Sequence, residues 1–156
     1  MFLLRVCTRL AEHGVPYAVV GGHALALHGA PRGTLDIDVV IERSLSAFES
    51  AESALRSLGL TSYLPLTAKY VFENLDELQR ERNLIAWSFI NQSNPMEIVD
   101  VIIAYDLDSL DVEEKLVADT TILVVTLESL ARMKRHTGRP QDMADVEAME
   151  RLMEDE

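Results

Sequence analysis

Gly21-Gly22 stands between the apolar run Tyr17-Ala18-Val19-Val20 and a short helical stretch, His23 to His28. Glycine takes up backbone dihedrals closed to other residues and has no Cβ to hold a neighbour off. The pair therefore predicts a sharp strand-to-helix turn. A phosphate can approach the main-chain N–H groups of such a turn, helped by the partial positive charge of a helix start. A turn of purely structural use satisfies the same pattern. After Gly29 and Pro31 the chain enters a predicted strand, Leu35 to Ile41, that carries Asp36 and Asp38. Residues i and i+2 of a strand share a face, roughly 6–7 Å apart. Two like charges there repel unless a cation lies between them. Mg²⁺ suits such a pair, because it takes one or two carboxylates plus the phosphates of a substrate. Solvated acids at an exposed strand end are the plain alternative, but Leu35, Ile37, Val39, Val40 and Ile41 mark this strand as buried.

A third carboxylate is expected from Met96 to Ile103, another apolar run. Asp100 sits in mid-strand on the face of Ile98 and Ile102, where an acid is costly unless paired or metal-bound. Glu97 lies beside Pro95, where exposure is the ordinary expectation. With Asp36, Asp38 and Asp100 together, two-metal chemistry becomes available: one ion holds a triphosphate and another lowers the pKa of an attacking hydroxyl, whose proton Asp100 can accept. Lys134 continues the apolar stripe of Leu127, Leu130 and Ala131, so it either snorkels to the surface or meets an anion such as a phosphate. Arg139 and Asp142, three residues apart at a helix start, read as a structural ion pair.

The remaining periodicity predicts an α/β (α+β) chain with a mixed β-sheet flanked by helices, in a single domain over residues 1–156. Leu3, Cys7, Leu10 and Ala11 make a helical stripe that ends at Gly14. Ser46-Ala47-Phe48-Glu49 has the capping-box pattern and opens a helix to Gly59. Residues 60–82 are hard to read beyond a helix from about Ala68 to Gln79. Leu84 to Ile90 and Met96 to Ile103, joined by Asn91-Gln92-Ser93-Asn94-Pro95, form a hairpin. Thr121 to Val125 is a strand, Thr126 caps a helix through His136, and Met143, Val146, Met149 and Met153 stripe the last helix.

Charge narrows the partners. The net charge is −12, with 26 acids against 14 bases. That balance disfavours a general nucleic-acid binder such as a tRNA enzyme, although Lys134, Arg135, His136 and Arg139 cluster. Cys7 is the single cysteine, so no internal disulfide forms, which fits a reducing, cytoplasmic setting. No apolar stretch reaches the length of a membrane span.

Together these residues resemble the nucleotidyltransferase (polymerase β-like) superfamily. The pattern is a Gly-Gly or Gly-Ser, about ten residues, Asp-x-Asp, and a third acid on a later strand. Val20 to Ala24, His28-Gly29, Arg32 to Asp38, Lys134, and Arg139 to Asp142 look closest to the small AbiEii-type nucleotidyltransferases of bacterial toxin–antitoxin pairs. The resemblance implies the nucleotidyltransferase fold, ATP or another NTP as donor, and Mg²⁺ held by Asp36, Asp38 and Asp100. It implies phosphate contacts from Gly21, Gly22 and Lys134, with Arg32 and Thr34 lining the pocket. His23 takes the place where serine, a phosphate ligand, is common. The activity implied is transfer of a nucleoside monophosphate to a hydroxyl of an RNA, protein or small molecule, in a chain that has a cognate toxin or antitoxin protein as partner. The short chain and His23 also suit an inactive nucleotidyltransferase-fold module that binds or regulates.

Overall fold

Four consecutive apolar residues make Tyr17–Val20 (β1) a strand buried along its whole length, and the sheet forms around it. The computed structural model describes residues 1–30, 33 and 35–155, so Arg32 and Thr34 of the expected pocket lie outside the described residues. The helix Phe2–Glu12 (α1) precedes β1, and Gly21–Leu27 (α2) follows it directly. Next come Ile37–Ile41 (β2), Leu45–Ser57 (α3), Leu60–Ser62 (β3), Ala68–Glu73 (α4) and Leu75–Arg80 (α5). The hairpin Ala86–Asn91 (β4) and Asn94–Ile102 (β5) precedes a second hairpin, Val112–Val117 (β6) and Thr120–Val125 (β7). Leu127–Thr137 (α6) and Pro140–Glu154 (α7) complete the fold.

Among the described residues, one mixed sheet of seven strands runs in the order β3-β4-β5-β2-β1-β7-β6. β2 pairs parallel with β5 and β1 parallel with β7, while the other neighbours are antiparallel. Cross-strand partners share a face, so Val19, Val39, Val101 and Trp87 point the same way. Trp87 stacks on Phe48 of α3 at 5.9 Å, and Tyr17, on the same face as Val19, meets Cys7 of α1. This is the core face. α2 packs on β1, β2 and α6. Among the described residues no helix is long and apolar enough to cross a membrane.

Several sequence expectations shift. β2 begins at Ile37, so Asp36 lies in the bend before the strand. The cap of α3 is Ser44, not Ser46: Ser44 is extended, and its hydroxyl accepts from the Ala47 amide at 3.1 Å. The expected helix over 68–79 breaks at Asn74, which ends α4 and begins α5. Thr126 does cap α6, accepting from the Ser129 amide. β3 and β6 were not expected. The β6–β7 hairpin turns on two residues, Ala118 and Asp119, at φ 47° and 66°. Left-handed backbone strains an L-residue by about 1–2 kcal/mol, and Asp tolerates it better than Ala. Ala118→Gly is therefore expected to stabilise the fold by up to about 1 kcal/mol. Urea denaturation measures this, and a loss of stability would show that the turn is unstrained.

Candidate active site

Register alone brings the two central carboxylates together. Val20 of β1 faces Asp38 of β2, Asp38 faces Asp100 of β5, and Asp100 faces Ser88 of β4. Asp38, Asp100 and Ser88 thus form a row on the face opposite Val39, Val101 and Trp87, away from α1 and α3. Parallel pairing of two apolar strands sets this up, because a slip of one residue would turn every side chain to the other face.

The row is electrostatically tense. Burial pushes the Asp38 carboxyl up to about 7, the charges of Asp100 and Asp36 push the same way, and Lys134 on α6 opposes them. A side-chain hydrogen bond between Asp38 and Asp100 raises the first carboxyl and lowers the second. Asp100 is also raised, first by burial, and is restrained by the hydroxyl of Ser88, which donates to its Oδ1 at 2.6 Å. Ser88 has no local sequence signal; it becomes visible only when β4 is set against β5.

Gly21 closes the row from the β1 side. It is left-handed at φ 66°, and a Cβ there would lie 2.2 Å from Asp38 Oδ2 and 3.0 Å from Asp38 Cγ. Glycine is thus required twice, by dihedral and by the close approach of a carboxylate. Gly22 lies in the first turn of α2.

Lys134 is held in place by carboxylates of its own chain. Its Nζ is 3.3 Å from Asp142 Oδ1 and 3.3 Å from Asp145 Oδ2, yet its charge is still felt at Asp38. Asp142 is 1% exposed and also accepts from Arg139 Nε at 2.7 Å, so the expected Arg139–Asp142 pair is present. The Arg139 hydrogen bond and the Lys134 charge hold the Asp142 carboxyl below its ordinary range. Asp142→Asn is expected to destabilise the fold by about 2 kcal/mol, because it leaves a half-buried lysine with less compensation. A depressed carboxyl gives stability that is present above its unfolded pKa and lost as pH falls through the folded one. The gap between wild type and variant should therefore close on acidification, and denaturation curves across acid pH measure it.

Other expected residues lie elsewhere. Glu97 is not solvated as expected: it binds Arg5 and accepts from Asn91 Nδ2 at 2.9 Å. His23 lines a cavity with Phe2, Leu3, Ile37 and Met96, and its Nε2 is buried without a hydrogen-bond partner among the described residues. Ile37 alternates with Asp38 on β2, so this cavity opens toward the other face. Among the described residues no group of three His, Cys, Asp or Glu side chains is set to hold a metal. The donor chemistry nevertheless fits Mg²⁺: Asp38 and Asp100 set hard carboxylate oxygens side by side on neighbouring strands, and two carboxylates suffice when phosphates complete the shell.

No protein-family model matches the chain, and no curated protein matches it in sequence. Solved structures do resemble it. The lincosamide antibiotic adenylyltransferase LnuA is similar at 14% identity and a TM-score of 0.63, over 97% of this chain and 96% of that one. The antibiotic-resistance factor ANT(2'')-Ia is similar at the same identity and TM-score, over 97% of this chain and 80% of its own. A Thermotoga maritima protein, provisionally described as a nucleotidyltransferase, is similar at 14% identity and a TM-score of 0.60, over 99% and 91%. At such identity the likeness is one of fold, and the fold is that of the nucleotidyltransferases.

Proposed function

We propose that the protein is a nucleotidyltransferase that moves a nucleoside monophosphate, with ATP as the simplest donor, to an acceptor hydroxyl. The observation that carries this reading is the contact of Asp38 with Asp100 on neighbouring strands, with Gly21 pressed against Asp38. Asp36, Asp38 and Asp100 are the residues that would hold Mg²⁺. The ion would neutralise the triphosphate and make an acceptor hydroxyl easier to deprotonate. The chain's own residues do the rest. Gly21 and Gly22 would hold phosphate through main-chain N–H groups at the start of α2. Lys134, braced by Asp142, places a positive charge near Asp38. Ser88 fixes the Asp100 carboxylate, which accepts the hydroxyl proton. The acceptor oxygen bonds to the α-phosphorus, the bond from that phosphorus to the bridging oxygen breaks, and pyrophosphate leaves. Arg32 and Thr34 are proposed as further pocket residues, whereas His23 lines the cavity that opens toward the other face and stands apart from the Asp38–Asp100 row.

Calorimetry with ATP and MgCl₂ tests the reading. Binding that needs both and disappears in Asp36→Asn supports it, whereas binding indifferent to Mg²⁺ or to the variant overturns it. The AbiEii-like segments further suggest a toxin–antitoxin component, which co-purification with the product of the neighbouring gene examines. A regulatory module without catalysis is favoured by one observation, the pairing of Lys134 with two carboxylates. It predicts nucleotide binding without any transfer of label.

A further inference from the structure

A cavity at the edge of the sheet continues the row of site residues. β3 is an edge strand. Its pairing with β4 sets Thr61 opposite Ile90 and Ser62 opposite Phe89, and it runs on through the Tyr63 amide, which donates to the Ser88 carbonyl at 2.8 Å. Tyr63, in the bend just past β3, therefore lies next to Ser88, at the end of the run Asp38, Asp100, Ser88. Around Tyr63 and Ser88 opens a cavity of about 250 Å³, walled also by Leu64, Leu66, Leu84, Ala86 and, from the core side, Trp87. Neighbouring strands lie about 4.8 Å apart, so the cavity begins roughly 5 Å from Asp100 and about 10 Å from Asp38. Ser88 belongs to both places, as a wall of the cavity and as the donor to Asp100.

The walls exclude the phosphate end of the donor. Among the described residues no charged side chain lines the cavity, and phosphates need cations or N–H donors. The groups suited to phosphate, Gly21 and Lys134, lie at the β1 and α6 end of the row, beyond Asp38. An in-line displacement needs the attacking and leaving oxygens on opposite sides of the phosphorus. With the pyrophosphate drawn toward Gly21, the attacking oxygen arrives from the Ser88 side. Tyr63 and Leu64, 72% and 43% exposed, leave apolar surface wet at the mouth of the cavity until something covers it.

Resting on the nucleotidyltransferase reading, we infer that this cavity binds the acceptor: a neutral small molecule with an apolar body of one or two rings and a hydroxyl directed at Asp100. The volume is a little below the 300–1,000 Å³ typical of small-molecule sites, and the absence of Lys or Arg from its walls disfavours RNA. The test uses the full-length ¹⁵N-labelled protein with tyrosol, an aromatic alcohol, as probe and glycerol as a hydroxylated control without an apolar body. Tyrosol is expected to shift the amides of Tyr63, Ala86 and Ser88, and glycerol is not. Leu64→Glu places a carboxylate in the wall and should weaken tyrosol roughly tenfold or more. Tyr63→Ala, at a more exposed position, should weaken it as well and guards against a folding defect in the first variant. Shifts elsewhere, no shifts, equal response to glycerol, or equal affinity in both variants would overturn the proposal. So would transfer of label from α-labelled ATP to the RNA or protein fraction of a cell extract. Mg·ATP binding measured alongside separates the two readings: its absence sinks the nucleotidyltransferase reading, whereas its presence with a silent cavity sinks only the acceptor site.

Discussion

Asp38→Asn is expected to abolish transfer while making the metal-free protein more stable at neutral and alkaline pH. Loss of one charged group placed at the reacting phosphate should lower the rate by about a thousandfold. The stability gain follows from the sign of the ionisation. Asp38 is raised from 3.8 to about 7 in the folded protein, so the folded state holds a proton that the unfolded chain has released. Stability from this group is full below about pH 4, declines as pH rises toward 7, and is flat above. Asparagine imitates the neutral carboxyl at every pH. Above pH 7 the variant should therefore exceed the metal-free wild type by an amount on the order of 3 kcal/mol, and the two should converge in acid. Denaturation of both proteins in chelator, on either side of pH 7, measures the difference. A variant less stable than wild type at alkaline pH would mean that Asp38 is ionised without strain, and the crowded row would then be no metal site. With MgCl₂ and ATP present, only the wild type should gain stability, because ligand binding to the folded state adds to it by mass action.

Among Gly14, Gly21, Gly29, Gly33, Gly59 and Gly138, Gly21 is expected to tolerate alanine least. The new Cβ would fall 2.2 Å from Asp38 Oδ2 at a residue with φ 66°. The dihedral strain alone is worth about 1–2 kcal/mol. Relief of the clash requires the Asp38 carboxylate to leave its place in the row, so a total of about 2–4 kcal/mol is expected, with loss of Mg·ATP binding. A double-mutant cycle separates the two sources. Gly21→Ala combined with Asp38→Ala should be less destabilised than the sum of the single changes by about 1 kcal/mol or more. Strict additivity would show that the carboxylate does not press on the glycine.

Much of this was legible in the chain because the key strands are short and strongly apolar. Tyr17–Val20 and Ile37–Ile41 announce themselves, and the acids at 38 and 100 stand out against their neighbours. The fold follows from the same strands and their helices. β6 escaped because Glu113-Glu114-Lys115 in an exposed edge strand breaks the apolar signal. Its hairpin turns on Ala118-Asp119, not on an Asn-Gly or Asp-Gly pair. β3 is three residues long, below the reach of any periodic pattern. Lys134 read equally well as a surface lysine or an anion partner; the structure supplies anions from its own next helix, Asp142 and Asp145, which spacing on α6 could not reveal. Ser88 and Tyr63 gain their meaning from register across strands, a relation that no local window holds. Asp36 looked like a strand residue because its flanking residues are apolar, yet the chain bends there before β2 begins.

The parallel pairings also set the order in which such a molecule can come together. Val19 meets Val124 across 105 positions of chain, and Asp38 meets Asp100 across 62. Loop closure on that scale must precede any reward from contact, so chains with such pairings fold on millisecond-to-second scales and not in microseconds. The hairpins β4–β5 and β6–β7 can zip locally and early. The two acids cannot meet until β2 and β5 dock, and Lys134 reaches them only with the helix after β7. The like charges that make the row reactive are therefore joined late, onto a sheet already able to hold them.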